Sequence, residues 1–347
     1  MHGPPPTRGV VQMLHGLGEH SQRPAYTGLA QALVRTDHFV LAACLTETLT
    51  PARTVWLQAG AGFVVYAHDH RGHGATAAAA GQARLAQRRA ELQSHTLSEL
   101  QRRATDRGTD NASLDAALDS KNPANALVDL LLDLEQGEPG VGEDGFFSED
   151  GGWQLVVDDA AKVTEMIRER EQQGTPLVLL GHSMGSMIGR TMVAQYGAFA
   201  ASPEEFASAA ERGAAGSVPL AGFICTGASG VADPLAPAPT EPSAQIAAML
   251  ASGGPRSRVP MSLLFGPWND ATVSDAGGVQ HSENDWLSRD PEVGVAYATD
   301  PLCCVEQWSN QITVSLLADL QQASVRLSLL STTILRSFIR VIRSVSR

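Results

Sequence analysis

The chain has 347 residues, 43% of them hydrophobic, enough for one large or two small domains with a sizeable core. Its formal net charge of −12, not gathered into an acidic tail, argues against a nucleic-acid partner. Cys44, Cys225, Cys303 and Cys304 lack the spacing of a disulfide framework or a metal site, residues 1–6 lack the apolar stretch of a signal peptide, and no apolar run is long enough to span a bilayer, so a reducing, cytoplasmic setting is expected.

In chain order, residues 10–14 (VVQML) read as a strand. The tight loop His15-Gly16-Leu17-Gly18-Glu19-His20 follows, then a helix over 24–35 with Tyr26, Leu29, Ala30 and Leu33 on one face. The loop lacks the G-x-G-x-x-G spacing of a dinucleotide site. Its glycines let backbone come close to a substrate, so the Leu17 amide can point at a carbonyl oxygen as part of an oxyanion hole; an ordinary strand-to-helix turn is the other reading. Residues 36–60 mix short apolar pieces with threonine and are broken by Pro51, which reads as an insertion of uncertain structure. Residues 62–69 predict the next strand and 70–74 its turn. His68, His70 and His73 invite a metal reading. The further Asp–His pair of metallohydrolases is missing, however, and Arg71 would repel a cation, so structural and turn roles are expected, with Asp69 and Arg71 fixing the loop through hydrogen bonds.

Residues 82–142 are rich in Ala, Arg, Gln, Asp and Leu. Helices are expected over 85–100 and 126–134, but the apolar positions look too sparse for a separate core. The stretch reads as a solvated, partly disordered helical excursion, with an interaction arm as the functional alternative. Order returns over 153–171, where Val156, Ala160, Val163 and Ile167 lie at helical spacing.

The next stretch organises the chain. Residues 177–180 form a short apolar run bounded by Gly174-Thr175-Pro176, as in a buried parallel strand, and residues after 184 can continue as a helix to about 196. Between them stands Gly181-His182-Ser183-Met184-Gly185, a Gly-x-Ser-x-Gly in the strand–turn–helix context that makes it a nucleophile elbow. The glycines relieve crowding at the turn, and the Ser183 hydroxyl is pushed out at the helix N-terminus, where developing negative charge is stabilised. A chance match of common residues is the bland alternative. Residues 220–227 read as another buried strand. From 231 to about 258 the chain is rich in Pro, Ala, Ser and Gly, and scattered apolar anchors at 261–265, Trp268, Trp286, Leu287 and Tyr297 suit a lid or cap rather than more sheet.

Four blocks together resemble an α/β-hydrolase of the monoacylglycerol lipase, lysophospholipase and serine-aminopeptidase-like group. They are His15-Gly16-Leu17-Gly18-Glu19-His20, the Ala67 to Gly74 block with Asp69-His70-Arg71-Gly72-His73-Gly74, the elbow, and Leu287-Ser288-Arg289-Asp290 running on to Asp300-Pro301-Leu302-Cys303. The resemblance implies a three-layer α/β core with a mostly parallel sheet, Ser183 as nucleophile, the amides of Leu17 and Met184 as the oxyanion hole, a cap that shapes an acyl-chain pocket, and no cofactor or metal. The expected organisation is a core over 1–230 with insertions at about 36–60 and 82–142, a cap over 231–302 and a helical C-terminal segment over 303–347. Strands near Val64, Val10, Leu179 and Phe223 are expected side by side in that order, with the Val64 and Phe223 strands left as edges.

The departures carry weight. The group normally begins with an antiparallel pair of strands before the His-Gly loop, and only a few residues precede it here. Its acid and histidine come after two further strands beyond the Asp-Pro-Leu block, whereas no histidine lies beyond His281. The terminal strands of the fold thus look missing or replaced. A serine needs a base, and in this fold the chain order is serine, acid, histidine, which leaves Asp233 and His281 as the acid and base and requires the cap to bring His281 onto the elbow. Expected functions are therefore a serine hydrolase of small lipid esters such as monoacylglycerols or lysophospholipids, a catalytically impaired or incomplete relative, or a membrane-associated or interaction protein. In the tail, Arg336, Arg340, Arg343 and Arg347 share a helical face opposite Leu335, Phe338, Ile339 and Ile342. Such a helix either covers the exposed sheet edge, the favoured reading, or lies on an anionic membrane as a peripheral contact.

Overall fold

The computed structural model describes residues 9–33, 39–43, 53–58, 63–136, 145–150, 152–199, 218–227, 256–275, 277–303 and 307–309. In chain order the strands are β1 (Gly9–Leu14), β2 (Phe39–Ala43), β3 (Arg53–Gln58), β4 (Phe63–Ala67), β5 (Leu177–His182), β6 (Gly197–Phe199), β7 (Val218–Leu220), β8 (Gly222–Thr226), β9 (Arg258–Pro260) and β10 (Gln307–Ser309). The helices are α1 (Pro24–Leu33), α2 (Gly74–Gln93), α3 (Leu97–Asp106), α4 (Asn111–Leu118), α5 (Pro123–Gln136), α6 (Gly152–Arg170), α7 (Met184–Tyr196), α8 (Met261–Asp275) and α9 (Pro291–Thr299).

The main sheet has the order β2-β3-β4-β1-β5-β8. Its parallel centre is the expected one: Val10 stands opposite both Val64 and Leu177, and Leu179 opposite Phe223. Alternation along β1 sends Val10 and Leu14 to one face, where α6 and α7 pack through Val156, Val157, Ala160, Ile188 and Met192, and Val11 and Met13 to the other, where Tyr26 and Ala30 of α1 pack. Helices on both faces of a mostly parallel sheet make the expected three-layer α/β architecture. Within β1 the polar Gln12 is fully buried, and its amide is satisfied by donating to the Ala160 carbonyl at 3.1 Å and accepting from Thr164 Oγ1 at 2.6 Å.

Several expectations need correction. Residues 36–60 contain an ordered antiparallel hairpin, β2–β3, which adds to the sheet with Trp56 opposite Tyr66. The Val64 strand is therefore not an edge, since β3 takes up the backbone groups it would leave open. The chain after α1 thus supplies antiparallel strands of the kind the resembled group normally carries before the His-Gly loop. Leu29 is not on the buried face of α1 but is 38% exposed. The last strand of the sheet among the described residues, β8, is not buried: Ile224, Cys225 and Thr226 are exposed.

The excursion is also more ordered than expected. Helices α2 to α5 share a core of their own, made by Leu92, Leu100, Ala104, Leu114, Ala117, Leu127, Val128, Leu131 and Leu132. The single helix expected over 85–100 is two. Thr96 begins the second with a reciprocal cap, its hydroxyl accepting from the Glu99 N–H while Glu99 accepts from the Thr96 N–H. Asp110 caps α4 through the Ser113 N–H at 2.9 Å.

In the expected cap, α8, a 3-10 turn at Asp285–Leu287 and α9 are helical, and β9 pairs with β10 apart from the main sheet. The Phe265 and Trp286 rings stack at 4.5 Å, and Tyr297 joins the main core. Asp233 and the arginines of the tail lie outside the described residues. Among the described residues no helix is long and apolar enough to cross a membrane.

Candidate active site

The elbow is built where β5 turns into α7. Ser183 has a φ of 50°, the sole non-glycine residue with positive φ among the described residues. Such a backbone persists only where its surroundings over-determine it. The Ser183 N–H donates to the Thr226 carbonyl at 2.9 Å, its carbonyl accepts the Ser186 N–H at 2.9 Å, and the Ser186 hydroxyl bonds the carbonyls of Gly181 and Thr226 at 2.8 and 3.1 Å. Glycine is required here by close approach. A Cβ on Gly185 would lie 2.0 Å from the Leu14 carbonyl oxygen, so β1 and α7 touch backbone to backbone. Ser183 is half-buried, and its hydroxyl has no hydrogen-bond partner among the described residues.

The His-Gly loop lies directly against the serine, for a Cβ on Gly16 would stand 3.2 Å from Ser183 Cβ. The loop is shaped from inside by the buried Glu19. One carboxylate oxygen accepts the Gly16 N–H at 2.9 Å and the Tyr26 hydroxyl, and the other accepts from the Arg23 guanidinium. Burial, then the negative charge of Glu19, pushes the Tyr26 phenol up, so it stays a donor. The Leu17 N–H, next in sequence to Gly16, has no acceptor among the described residues. Met184 opens α7, and its N–H is one of the first-turn donors a helix leaves without an intrahelical partner. Leu17 and Met184 are thus positioned on the two elements that flank the serine.

The turn after β4 clamps this loop. Asp69 accepts the Ser21 N–H at 2.7 Å and the Ala75 N–H at 2.8 Å, joining the loop to the start of α2. Arg71 makes a two-pronged pair with Asp159 of α6 at 3.0 and 3.1 Å. These are the loop-fixing roles expected of Asp69 and Arg71. Four imidazoles fill the space between the two turns. His15 Nε2 accepts the His70 N–H at 2.9 Å and its Nδ1 lies 2.8 Å from the Gly16 carbonyl, which sets the neutral ring with its proton on Nδ1. The His15 ring lies 4.0 Å from His70 and 5.3 Å from His73, and His68 lies 5.0 Å from His70. Burial holds His15 and His70 well below the ordinary imidazole value, lowers His68, and brings His73 to about 4. Among the described residues the ring nitrogens of His68 and His70 have no hydrogen-bond partner, and no three ligating atoms from these four rings come together.

His281 stands on an exposed loop after α8. Its own N–H donates to Asp285 at 2.7 Å, and no hydrogen bond joins it to Ser183 among the described residues. Sequence reasoning passed over one contact. His20 Nε2 donates to Asp300 at 2.8 Å across 280 residues, tying the loop to the turn after α9. Both residues sit in the blocks that carry the family resemblance, but nothing local pairs them. Burial alone would raise the Asp300 carboxyl; the bonds from His20 and the Leu302 N–H, with the charge of Arg23, outweigh it and hold the group below the usual range.

The family described as alpha/beta hydrolase fold matches residues 9–217, and that described as serine aminopeptidase, S33, matches residues 139–336. The chain belongs to the α/β-hydrolase superfamily, in the part of it that these two descriptions cover. Solved structures similar to it include a lipase in its open form (20% identity, 92% of this chain and 66% of that one, TM-score 0.47). A thermostable carboxyl esterase from Bacillus coagulans with bound glycerol is similar at 20% identity (91% and 65% covered, TM-score 0.42). A soluble variant of monoglyceride lipase from Saccharomyces cerevisiae with a substrate analogue is similar at 16% (94% and 63% covered, TM-score 0.41). The chain thus spans a little under two thirds of the length of each. No curated protein matches its sequence.

Proposed function

We propose that the chain is a serine hydrolase of carboxylic esters. Ser183 Oγ attacks the ester carbonyl carbon, the N–H groups of Leu17 and Met184 hold the oxygen as it becomes negative, the alcohol leaves with a proton, and water then releases the acyl group from Ser183. The observation that carries this is the φ of 50° at Ser183, on the turn that presents its hydroxyl. Small lipid esters of the monoacylglycerol or lysophospholipid kind are the proposed substrates, on the family resemblance. Asp233 and His281 are the acid and base that chain order leaves. A basic tail through Arg336, Arg340, Arg343 and Arg347 would serve the same reading at a membrane; salt-sensitive co-sedimentation with phosphatidylserine vesicles, lost on deletion of residues after 322, tests that part.

The exposed, separately bonded His281 favours a second reading, in which the chain keeps the elbow and oxyanion loop without an efficient base. Turnover would then fall to roughly three to four orders of magnitude above water. Labelling by a fluorophosphonate and hydrolysis of p-nitrophenyl esters separate the two. Labelling and turnover that vanish in Ser183→Ala support the hydrolase, and turnover unchanged in that variant sinks it. A loss in His281→Ala as large as in the serine variant assigns the base, whereas an unchanged rate favours the second reading.

A further inference from the structure

His20, Asp300 and Cys303 bring one nitrogen, one carboxylate oxygen and one sulfur within 4.8 Å of one another, the sole such group of ligating side chains among the described residues. Two of the three come from a closed turn. The Leu302 N–H donates to the Asp300 carboxylate at 2.9 Å and the Cys303 N–H to the Asp300 carbonyl at 3.0 Å. A pair of ligands three positions apart on a tight turn is the device by which zinc-binding chains present two donors to one ion. The third donor arrives from the opposite side, on the loop after β1. His20 and Cys303 are 4% and 8% exposed, while the Asp300 side chain is 25% exposed and leaves an approach from solvent. Arg23, whose charge reaches Asp300, is already paired with Glu19 and stacked over the Tyr297 ring.

We propose that His20, Asp300 and Cys303 form a site for a zinc-class divalent cation, with three protein ligands and a fourth position open to water. Nitrogen, oxygen and sulfur donors together select zinc or cobalt over magnesium or calcium, which take oxygen alone. Binding needs a rearrangement of protons. The imidazole proton moves from Nε2 to Nδ1, which gives up the 3.3 Å bond that Nδ1 accepts from the Gln22 N–H, and the Cys303 thiol gives up its proton to solvent, so one proton is released per ion bound. None of its three residues has a role in the proposed ester chemistry, but His20 belongs to the loop that carries Leu17, so an ion there would hold that loop as well.

The test uses the full chain, reduced and freed of metal with a chelator. Cobalt is expected to bind at one equivalent with a thiolate-to-cobalt charge-transfer band, and zinc to displace it and raise the melting temperature. Cys303→Ser should remove the band, and Cys304→Ser should leave it. Since loss of a mere outer-sphere partner costs about 10–100-fold in affinity, Asp300→Asn and His20→Ala should each weaken zinc binding at least about tenfold. Circular dichroism of the metal-free variants checks that they fold, and the wild-type titration stands without them. No saturable cobalt binding by the wild-type chain, a band that survives Cys303→Ser, or one that Cys304→Ser removes would each overturn the proposal. None of these readouts depends on ester hydrolysis.

Discussion

The serine cradle and the helical excursion are two answers to holding backbone in place. In the cradle, buried polar groups from distant parts of the chain meet, Asp69 with Ser21 and His15 with His70; Glu19 ties down its own loop at Gly16, and the elbow backbone presses against Leu14. In α2 to α5 a purely apolar seam sits inside, and the charges stay near the surface, Arg88 with Glu135 and Arg89 with Asp129. Apolar packing is non-directional and tolerates adjustment. A buried hydrogen bond has a required direction, and losing one partner strands the other. The cradle is therefore the more narrowly specified of the two, as the proposed attack by Ser183 requires, and the excursion is fixed only to the level of helices packing.

The largest expected effect breaks the cradle at its tightest point. Gly185→Ala forces a Cβ into two backbone carbonyls and should cost more than about 4 kcal/mol, read as loss of the cooperative melt; a near-normal melt would refute the close approach. Acid separates the regions next. The buried imidazoles His15, His68, His70 and His73 have folded values below their unfolded one, so the unfolded chain binds protons first. Stability is full above about pH 6.5 and falls as the pH drops through the window down to about 4, where His73 itself titrates. The cradle should loosen there by hydrogen exchange while the excursion, whose core has no imidazole, does not; equal loosening in both would count against this origin.

Glu19→Ala leaves the buried Arg23 unpaired and the Gly16 amide without that acceptor, and should cost about 3–5 kcal/mol by denaturant midpoint, with ester kcat lowered more than KM is changed. Leu131→Ala should cost about 2–5 kcal/mol, confined to faster exchange in α2 to α5 with β1 and β5 unaffected. The smallest effect has the opposite sign. Gly81 lies inside α2 with open space where a Cβ would go, so Gly81→Ala should stabilise by about 0.5–1 kcal/mol in a thermal melt of that unit.

The two regions also differed in how far the sequence disclosed them. The elbow was readable because its chemistry, its glycines and its strand–helix context are contiguous within 177–196; buried runs such as that of β5 showed the strands, and their parallel order came from the family resemblance. The excursion's core was hidden because its apolar residues are divided among short helices, as with Leu100 and Ala104 in α3 and Leu114 and Ala117 in α4. No window held enough of them to show a seam, although the Thr96–Glu99 cap was a visible sign of order. The hairpin was obscured by Pro51 and by the lack of polar alternation in the stretch. The pairing of His20 with Asp300 depends on tertiary closure and leaves no trace in spacing.

The β2–β3 hairpin has a consequence for the order of assembly. Strands β2, β3 and β4 follow one another through short connections, so they can zip together at little loop-closure cost. The strand that leads into Ser183 cannot. Pairing β5 with β1 closes a loop in which Gln12 and Thr164, which bond to each other, lie 152 residues apart. Contacts of such long separation form slowly. The left-handed turn at Ser183, which needs both Leu14 and Thr226 beside it, is thus a late product of folding. On that order of assembly the β1 edge that faces β5 would be the last to close, and so the one most open to pairing with a second copy of the chain.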